Sequence, residues 1–377
     1  MHTKINRYVL SLIEKSSPEK TAWNIEKMHS GAPVTWNYID GCMLLSLLEM
    51  TRITGDDRYA AFVERFVDAF IDSDGTIRTF DPLKHTLDDI NESRVLIPLY
   101  LATGKEKYRK AADITKAALD IQPRTAEGNF WHKKIYPHQV WLDGIYMAQV
   151  FAAQYETHFG QGDYSDVIAQ IKNVRARMFD EEKRLYYHGY DCSRTVFWAD
   201  KETGLSQSFW LRAMGWFAAA LTDIIDILPE GDDRTCLCGL LLEMMDGVSA
   251  YMDAQTGLYW QVVDQPGREG NYLETSGSCM MAYAMLKGAR IGALPKTYAA
   301  KGEKTFNGIV NKYLDFQGDE IHLSGICLVA GLGPENDHRR DGTYAYYISE
   351  PVVKNDAKGV APFVMCYTEV LRLNREH

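Results

Sequence analysis

Apolar residues recur three and four positions apart along the whole chain, the spacing of one helix face. The pattern is clear in "GCMLLSLLEMTRIT", "RYAAFVERFVDAFI", "SRVLIPLYLAT", "YRKAADITKAALDI" and "YSDVIAQIKNVRARMF", and it continues to "GVAPFVMCYTEVLRLN" near the end. The predicted helices are of two kinds. Five follow a loop rich in Trp, Gly and polar residues and are almost wholly apolar: "WNYIDGCMLLSLL", "VWLDGIYMAQVF", "FWLRAMGWFAAAL", "ETSGSCMMAYAML" and "KNDAKGVAPFVMC". The others are charged and amphipathic. A helix apolar all round belongs inside, and an amphipathic one covers it. Alternation of the two kinds is a repeat of helical hairpins. Six such hairpins closing into a ring predict an all-α fold, an (α/α)6 barrel, whose inner-helix starts line one mouth.

Two loop segments share a shorter pattern. "DEEKRLYYHGYD" from Asp180 and "DAQTGLYWQVVD" from Asp253 both place Leu-Tyr five residues after an aspartate. They predict short β-hairpins in the loops ahead of inner helices. The stretch from Ser324 to Asp356 is rich in Gly, Tyr and Pro and reads as a long functional loop. No Pro- or Ser-rich linker divides the chain, so residues 1–377 are expected to form one barrel domain.

Composition narrows the function. Apolar residues make up 46% and charged ones 24%, which leaves room for a large core. A net charge of -10 offers phosphates no attractive field, so nucleic acid is not an expected partner. "MHTKINRYVLSLIEKSS" lacks the features of a secretory leader, and no run reaches the roughly 18 apolar residues of a membrane span. A cytoplasmic protein without membrane attachment, monomeric or weakly self-associating, is the expectation. The seven cysteines are odd in number and scattered; Cys236 and Cys238 lack a second pair, so neither disulfides nor a metal site is expected. The chain has no dinucleotide fingerprint, phosphate loop or serine-nucleophile elbow, and no cofactor is expected.

The candidate chemistry sits at the starts of the apolar helices. Asp143, between Trp141 and Gly144, reads either as an acid favoured by a helix N-terminus or as a general acid whose pKa the flanking aromatics raise. Asp88, beside Asp89 in "HTLDDINESRVL", offers a second carboxylate of the kind paired in glycosidic hydrolysis. His132 and His138 frame "WHKKIYPH", and His188 at a hairpin could bond a ligand hydroxyl. Trp210, Arg212 and Trp216 read as a core cluster or as a sugar platform with a guanidinium for a carboxylate. Trp36, Tyr38 and Trp141 extend the aromatic set, and Lys358 is a second candidate cation.

LDxIN at Leu87–Asn91, the isolated His132, VWLDGIYM at Val140–Met147, WLRAMGW at Trp210–Trp216, ETSGS at Glu274–Ser278 and RDGTYAYYISEPVVKNDAKG at Arg340–Gly359 follow one another in that order. The set resembles the unsaturated rhamnogalacturonyl hydrolases, glycoside hydrolase family 105, over nearly the whole chain. The resemblance implies a cytoplasmic enzyme of pectin breakdown. It would take a small unsaturated oligosaccharide and release 4,5-unsaturated galacturonic acid by hydrating a vinyl ether. It implies catalytic roles for Asp143 and Asp88, and binding roles for His132, Trp141, Met147, His188, Trp210, Arg212 and Trp216. Glu-Ser after LDxIN, and Ala-Met inside WLRAMGW, depart from the family's usual residues and bear on the sugar rather than the reaction. The alternatives are an unsaturated glucuronyl hydrolase of glycosaminoglycan or ulvan fragments, a barrel-type sugar epimerase or isomerase, and a non-catalytic carbohydrate-binding barrel.

Overall fold

The protein is described here by a computed structural model covering residues 1–317 and 320–375. Helices dominate, and twelve of them alternate between an outer and an inner position. The inner ones are Tyr38–Thr54, a broken second helix, Gly144–His158, Leu211–Ile227, Thr275–Arg290 and Ala357–Leu373. The second runs Leu87–Glu92, passes through a 3-10 turn at Ser93–Val95 and resumes as Leu96–Thr103. Each inner helix packs on the next, and the sixth packs on the first, so the ring closes. Outer helices His2–Glu14, Asp57–Asp68, Glu106–Asp120, Ser165–Met178, Asp232–Ser249 and Thr297–Tyr313 surround it. The expected (α/α)6 barrel is the observed fold.

The two kinds of helix bury as their patterns require. Every residue from Leu211 to Ile225 is buried, as is every one from Ala357 to Val370. By contrast, Glu106–Asp120 buries only Tyr108, Ala111, Ala112, Thr115, Ala118 and Leu119, a stripe at three- and four-residue steps. Each large apolar side chain taken fully inside contributes about 1.5–3 kcal/mol, so the ring is the main source of stability. Side chains cap several inner helices at their starts: Asn37 accepts from Ile39 N, Glu274 from Ser276 N and Gly277 N, and Asp356 from Lys358 N. Gly41 lets the first inner helix lie against the backbone of Glu92, where a Cβ would come within 2.5 Å of Glu92 Cα.

Four two-stranded antiparallel sheets are present among the described residues. Phe179–Asp180 with Leu185–Tyr186 is one of the expected hairpins. Asp180 Oδ1 accepts from Glu182 N and Lys183 N, and Arg184 at φ 56° closes the turn onto Asp180 O. The copy at Asp253 does the same with Thr256 N and Gly257 at φ 77°. A third copy, unrecognised in the sequence, folds identically from Asp200 to Gly204. These aspartate turns are locally encoded, because a short carboxylate can satisfy the amides two and three residues ahead.

Candidate active site

The loops that precede the inner helices meet at one mouth of the barrel. Two backbone devices place the candidate residues there. The first ties the segment after Trp131 to the start of the second inner helix: Leu87 N donates to His132 O (3.1 Å) and Lys134 N to His85 O (3.0 Å). The second pairs Gln139–Trp141 with Gly189–Asp191, and Leu142 N donates to His188 O (2.9 Å). Between them they set His132 and Lys133 against Asp88, and His188 against Asp143.

Asp143 stands at the N-cap of Gly144–His158, yet its side chain makes no capping hydrogen bond. It sits where the helix dipole favours an acid, but it does not spend its oxygens on the helix amides. Asp143 Oδ1 lies 3.5 Å from His188 Nε2, with the carboxylate almost fully buried. Asp88 Oδ2 lies 2.5 Å from Lys133 Nζ, and Oδ1 lies 3.5 Å from His132 Nε2. His132 is sandwiched flat against Trp141, centroids 4.4 Å apart, and rests on the N-terminus of the Asp143 helix. Gly144 permits this: a Cβ there would stand 3.1 Å from His132 Nδ1.

The electrostatics correct one expectation. Burial does push the Asp143 carboxyl up, as the flanking aromatics led us to expect, but the His188 contact and the charge of His132 outweigh it. The net effect holds Asp143 below the ordinary aspartate value in the free protein. His132 is itself depressed by burial, against the opposing pull of Asp143 and Asp88. Asp89, beside the pair, is pushed up to about 6 by burial and by the charge of Asp88.

The other sequence-derived candidates divide. Trp141 is buried with its N–H donated to Gln139 Oε1, and Trp210 lies 4.7 Å from the His188 ring. Tyr38 meets the edge of Trp216, and its hydroxyl is raised by burial and by Asp88 while Arg212 opposes. Met147 is buried in the first turn of the Asp143 helix. Arg212 is buried, with Nη1 donating to Cys327 O (2.5 Å) and Ser276 Oγ (3.3 Å). No described carboxylate lies within ion-pair distance of it.

Two candidates are committed elsewhere. Trp36 turns into the packing against Phe70 and donates its N–H to Ser93 Oγ, so it anchors the first inner helix. Lys358 is not a free cation: Glu26 (2.7 Å) and Asp356 (3.1 Å) neutralise it. His138 lies outside the acid pair, packed on Trp131 at φ 68°. Sequence reasoning gave no role to Lys133, whose signal was adjacency to His132, to Tyr347, inside the motif Arg340–Gly359, or to Gln261, inside the repeated segment from Asp253. Among the described residues no group of three or more His, Cys, Asp or Glu could hold a metal ion, and no helix is long and apolar enough to cross a membrane.

Comparison with known proteins gives the same frame. A family model described as Glycosyl Hydrolase Family 88 matches residues 13–374. A family 105 glycoside hydrolase of C. acetobutylicum superposes with a TM-score of 0.88 and 38% identity, covering 96% of this chain and 99% of that one. Protein Atu3128 of Agrobacterium fabrum is 42% identical over 196 residues, 51% of this chain and 84% of that protein. The unsaturated rhamnogalacturonyl hydrolase YesR of Bacillus subtilis is 24% identical over 264 residues, 68% of this chain and 72% of that one. With the barrel closed, two carboxylates at its mouth, and the family model and the C. acetobutylicum structure both matching almost from end to end, the chain belongs to the Glycosyl Hydrolase Family 88 family and groups with the family 105 glycoside hydrolases.

Proposed function

We propose that this glycoside hydrolase works as one catalytic barrel. It removes 4,5-unsaturated galacturonic acid from the nonreducing end of rhamnogalacturonan-derived disaccharides. The observation that carries the reading is the uncapped Asp143 carboxylate, held in the mouth between His188 and His132, with Asp88 beyond His132. Support comes from the similarity to YesR, a protein named as an unsaturated rhamnogalacturonyl hydrolase.

Asp143 protonates C4 of the vinyl ether, and positive charge develops at C5 and O5. Water adds to C5 and gives its proton back to the Asp143 carboxylate. The hemiketal opens by breaking C5–O5, which leaves a ketone at C5 and a hemiacetal at C1, and collapse of that hemiacetal frees the aglycone. The acid must be protonated at the start, whereas the free protein keeps it ionised. Substrate reverses that balance: the uronate brings a like charge, and its ring displaces water, both of which raise the carboxyl. Arg212, a buried guanidinium without a carboxylate partner, is the group that receives the uronate. Asp88, fixed by Lys133 and His132, accepts sugar hydroxyls and holds the ring over Asp143. Trp141 and Trp210 supply apolar surface for the ring.

Purified protein is given a rhamnose-linked and an amino-sugar-linked unsaturated disaccharide, and loss of the double bond's ultraviolet absorbance is followed. Faster turnover of the rhamnose-linked compound supports the proposal. Preference for the amino-sugar compound assigns the glucuronyl activity instead, and binding without absorbance loss removes the enzymatic reading.

A further inference from the structure

Behind His188 stands a tyrosine that the hydrolysis described above leaves unused. Tyr347 lies on the short helix Tyr344–Ser349 of the long loop and is wholly buried. Its hydroxyl is 2.6 Å from His188 Nδ1. The direction of that bond follows from accounting for the proton. The phenol oxygen has no other hydrogen-bond partner among the described residues. Were His188 Nδ1–H the donor, the phenol O–H would be buried with no acceptor, which native interiors avoid. The tyrosine therefore donates, Nδ1 accepts, and the ring proton of His188 sits on Nε2, the atom 3.5 Å from Asp143 Oδ1.

The surroundings lock this arrangement. Trp210 lies against both rings, 4.7 Å from His188 and 5.8 Å from Tyr347. Gln261, buried, donates to Tyr347 O (3.1 Å) and accepts from Trp210 Nε1 (3.3 Å), so one amide fixes both neighbours. Trp141 closes the remaining side, its ring 5.4 Å from His188.

We propose that Tyr347 is a positioning residue: by donating to His188 Nδ1 it selects the tautomer that presents Nε2–H to Asp143, and so aims the reacting carboxyl. The proposal rests on Asp143 being that carboxyl. Other groups facing the trio are His132, with Asp88 and Lys133 behind it, on the Asp143 side, and Tyr346, Asp341 and Cys327 on the Tyr347 side. Without the phenol donor, Nδ1 can keep the proton and turn the Nε2 lone pair toward Asp143. The carboxylate then loses the N–H that faces it at 3.5 Å and holds a proton more tightly.

Two measurements test this. In the unmodified protein labelled with 15N-histidine, the His188 resonances, assigned by their loss in His188→Gln, should show Nδ1 as acceptor and Nε2 protonated at neutral pH. A protonated Nδ1 with a bare Nε2 overturns the proposal. In Tyr347→Phe, with its melting temperature checked, kcat should fall about tenfold while KM holds within roughly twofold. The alkaline limb of the kcat profile should move up by roughly half a pH unit. Tyr346→Phe should leave that limb in place. A folded Tyr347→Phe protein with an unmoved limb also overturns it. Should Asp143→Asn retain turnover while the histidine spectrum is as expected, it is the role of Asp143 that fails, and the tautomer assignment stands.

Discussion

The barrel has two mouths, and both bury charge. At the mouth formed by inner-helix starts, Asp143 and Asp88 share their space with two histidines, one lysine and several aromatic rings. At the opposite mouth all six inner helices contribute their last turns to a cavity of about 350 Å3. There Asp223 receives Arg94 (2.9 Å), Lys287 (2.8 Å) and Tyr283 (2.6 Å), while Glu369 receives Arg290 and Arg372 (both 2.7 Å). Burial pushes Asp223 up, but Lys287 and Arg94 win and hold it low. Asp143 is also held low, by imidazoles instead. The difference is the kind of counter-charge. Lysine and arginine stay charged across the whole physiological range, so Asp223 is locked. Among the described residues Asp143 has no lysine or arginine against it, and burial depresses the imidazole of His132, so its counter-charge is not permanent. Basic side chains in the last turns of four inner helices also offset the dipoles of their C-termini, a structural duty that the mouth of helix starts does not have. The mouth of permanent ion pairs thus carries the scaffold's charge, and the mouth at the inner-helix starts is the one the proposed chemistry uses.

This contrast can be broken in order of effect. Asp143→Asn removes the proton donor while keeping shape; turnover followed by absorbance should fall about 10²–10⁴-fold, with the melting temperature nearly unchanged. Asp223→Asn should do the reverse. It strands Arg94 in the interior and leaves Lys287 with Asp226 alone, and urea unfolding should show a loss of about 3–5 kcal/mol while the folded fraction keeps its kcat. If Asp223→Asn instead abolished kcat in folded protein, the division of labour between the mouths would be wrong.

A third experiment concerns Asp40, buried in the first turn of the first inner helix. Burial pushes it up to about 6, against hydrogen bonds from Trp23, Asn24 and Thr21. The unfolded chain releases that proton near pH 4, so the folded state binds more protons between about pH 4 and 6 and stability falls as pH rises there. Asp40→Asn should flatten that slope in urea titrations run at several pH values. Asp143 and Asp223 act in the opposite sense. Their depressed values stabilise the fold above the ordinary aspartate pKa, and that support is lost as pH falls through the lowered ones. The smallest effect is expected from Lys133→Met, which frees Asp88 on one side only; kcat/KM should drop about tenfold, with the pH optimum displaced.

Much of this architecture is written in short-range pattern. Almost wholly apolar stretches such as Leu211–Ile225 belong to inner helices, because they have apolar residues on every face, and the stripe on Glu106–Asp120 belongs to a helix that covers one. The aspartate turns at Asp180 and Asp253 were equally legible, since their bonds reach only a few residues. The identities of Asp143, Asp88, His132 and His188 as a set came from ordered motifs. Their protonation balance did not: aromatic neighbours in the sequence argued for a raised Asp143, and the imidazoles that reverse it arrive from elsewhere in the chain.

What the sequence determined by itself, then, is which segments are helical, which of them are inside, and which residue types stand at their starts. These follow from local periodicity and from the cost of exposing apolar surface. Only the tertiary structure decided that Lys358 is spent on Glu26, that Trp36 faces the core, and that Tyr347 reaches His188 across 159 positions. Charge partners and hydrogen-bond directions depend on distances of a few ångströms between groups far apart in the chain, and those distances exist only once the ring has closed.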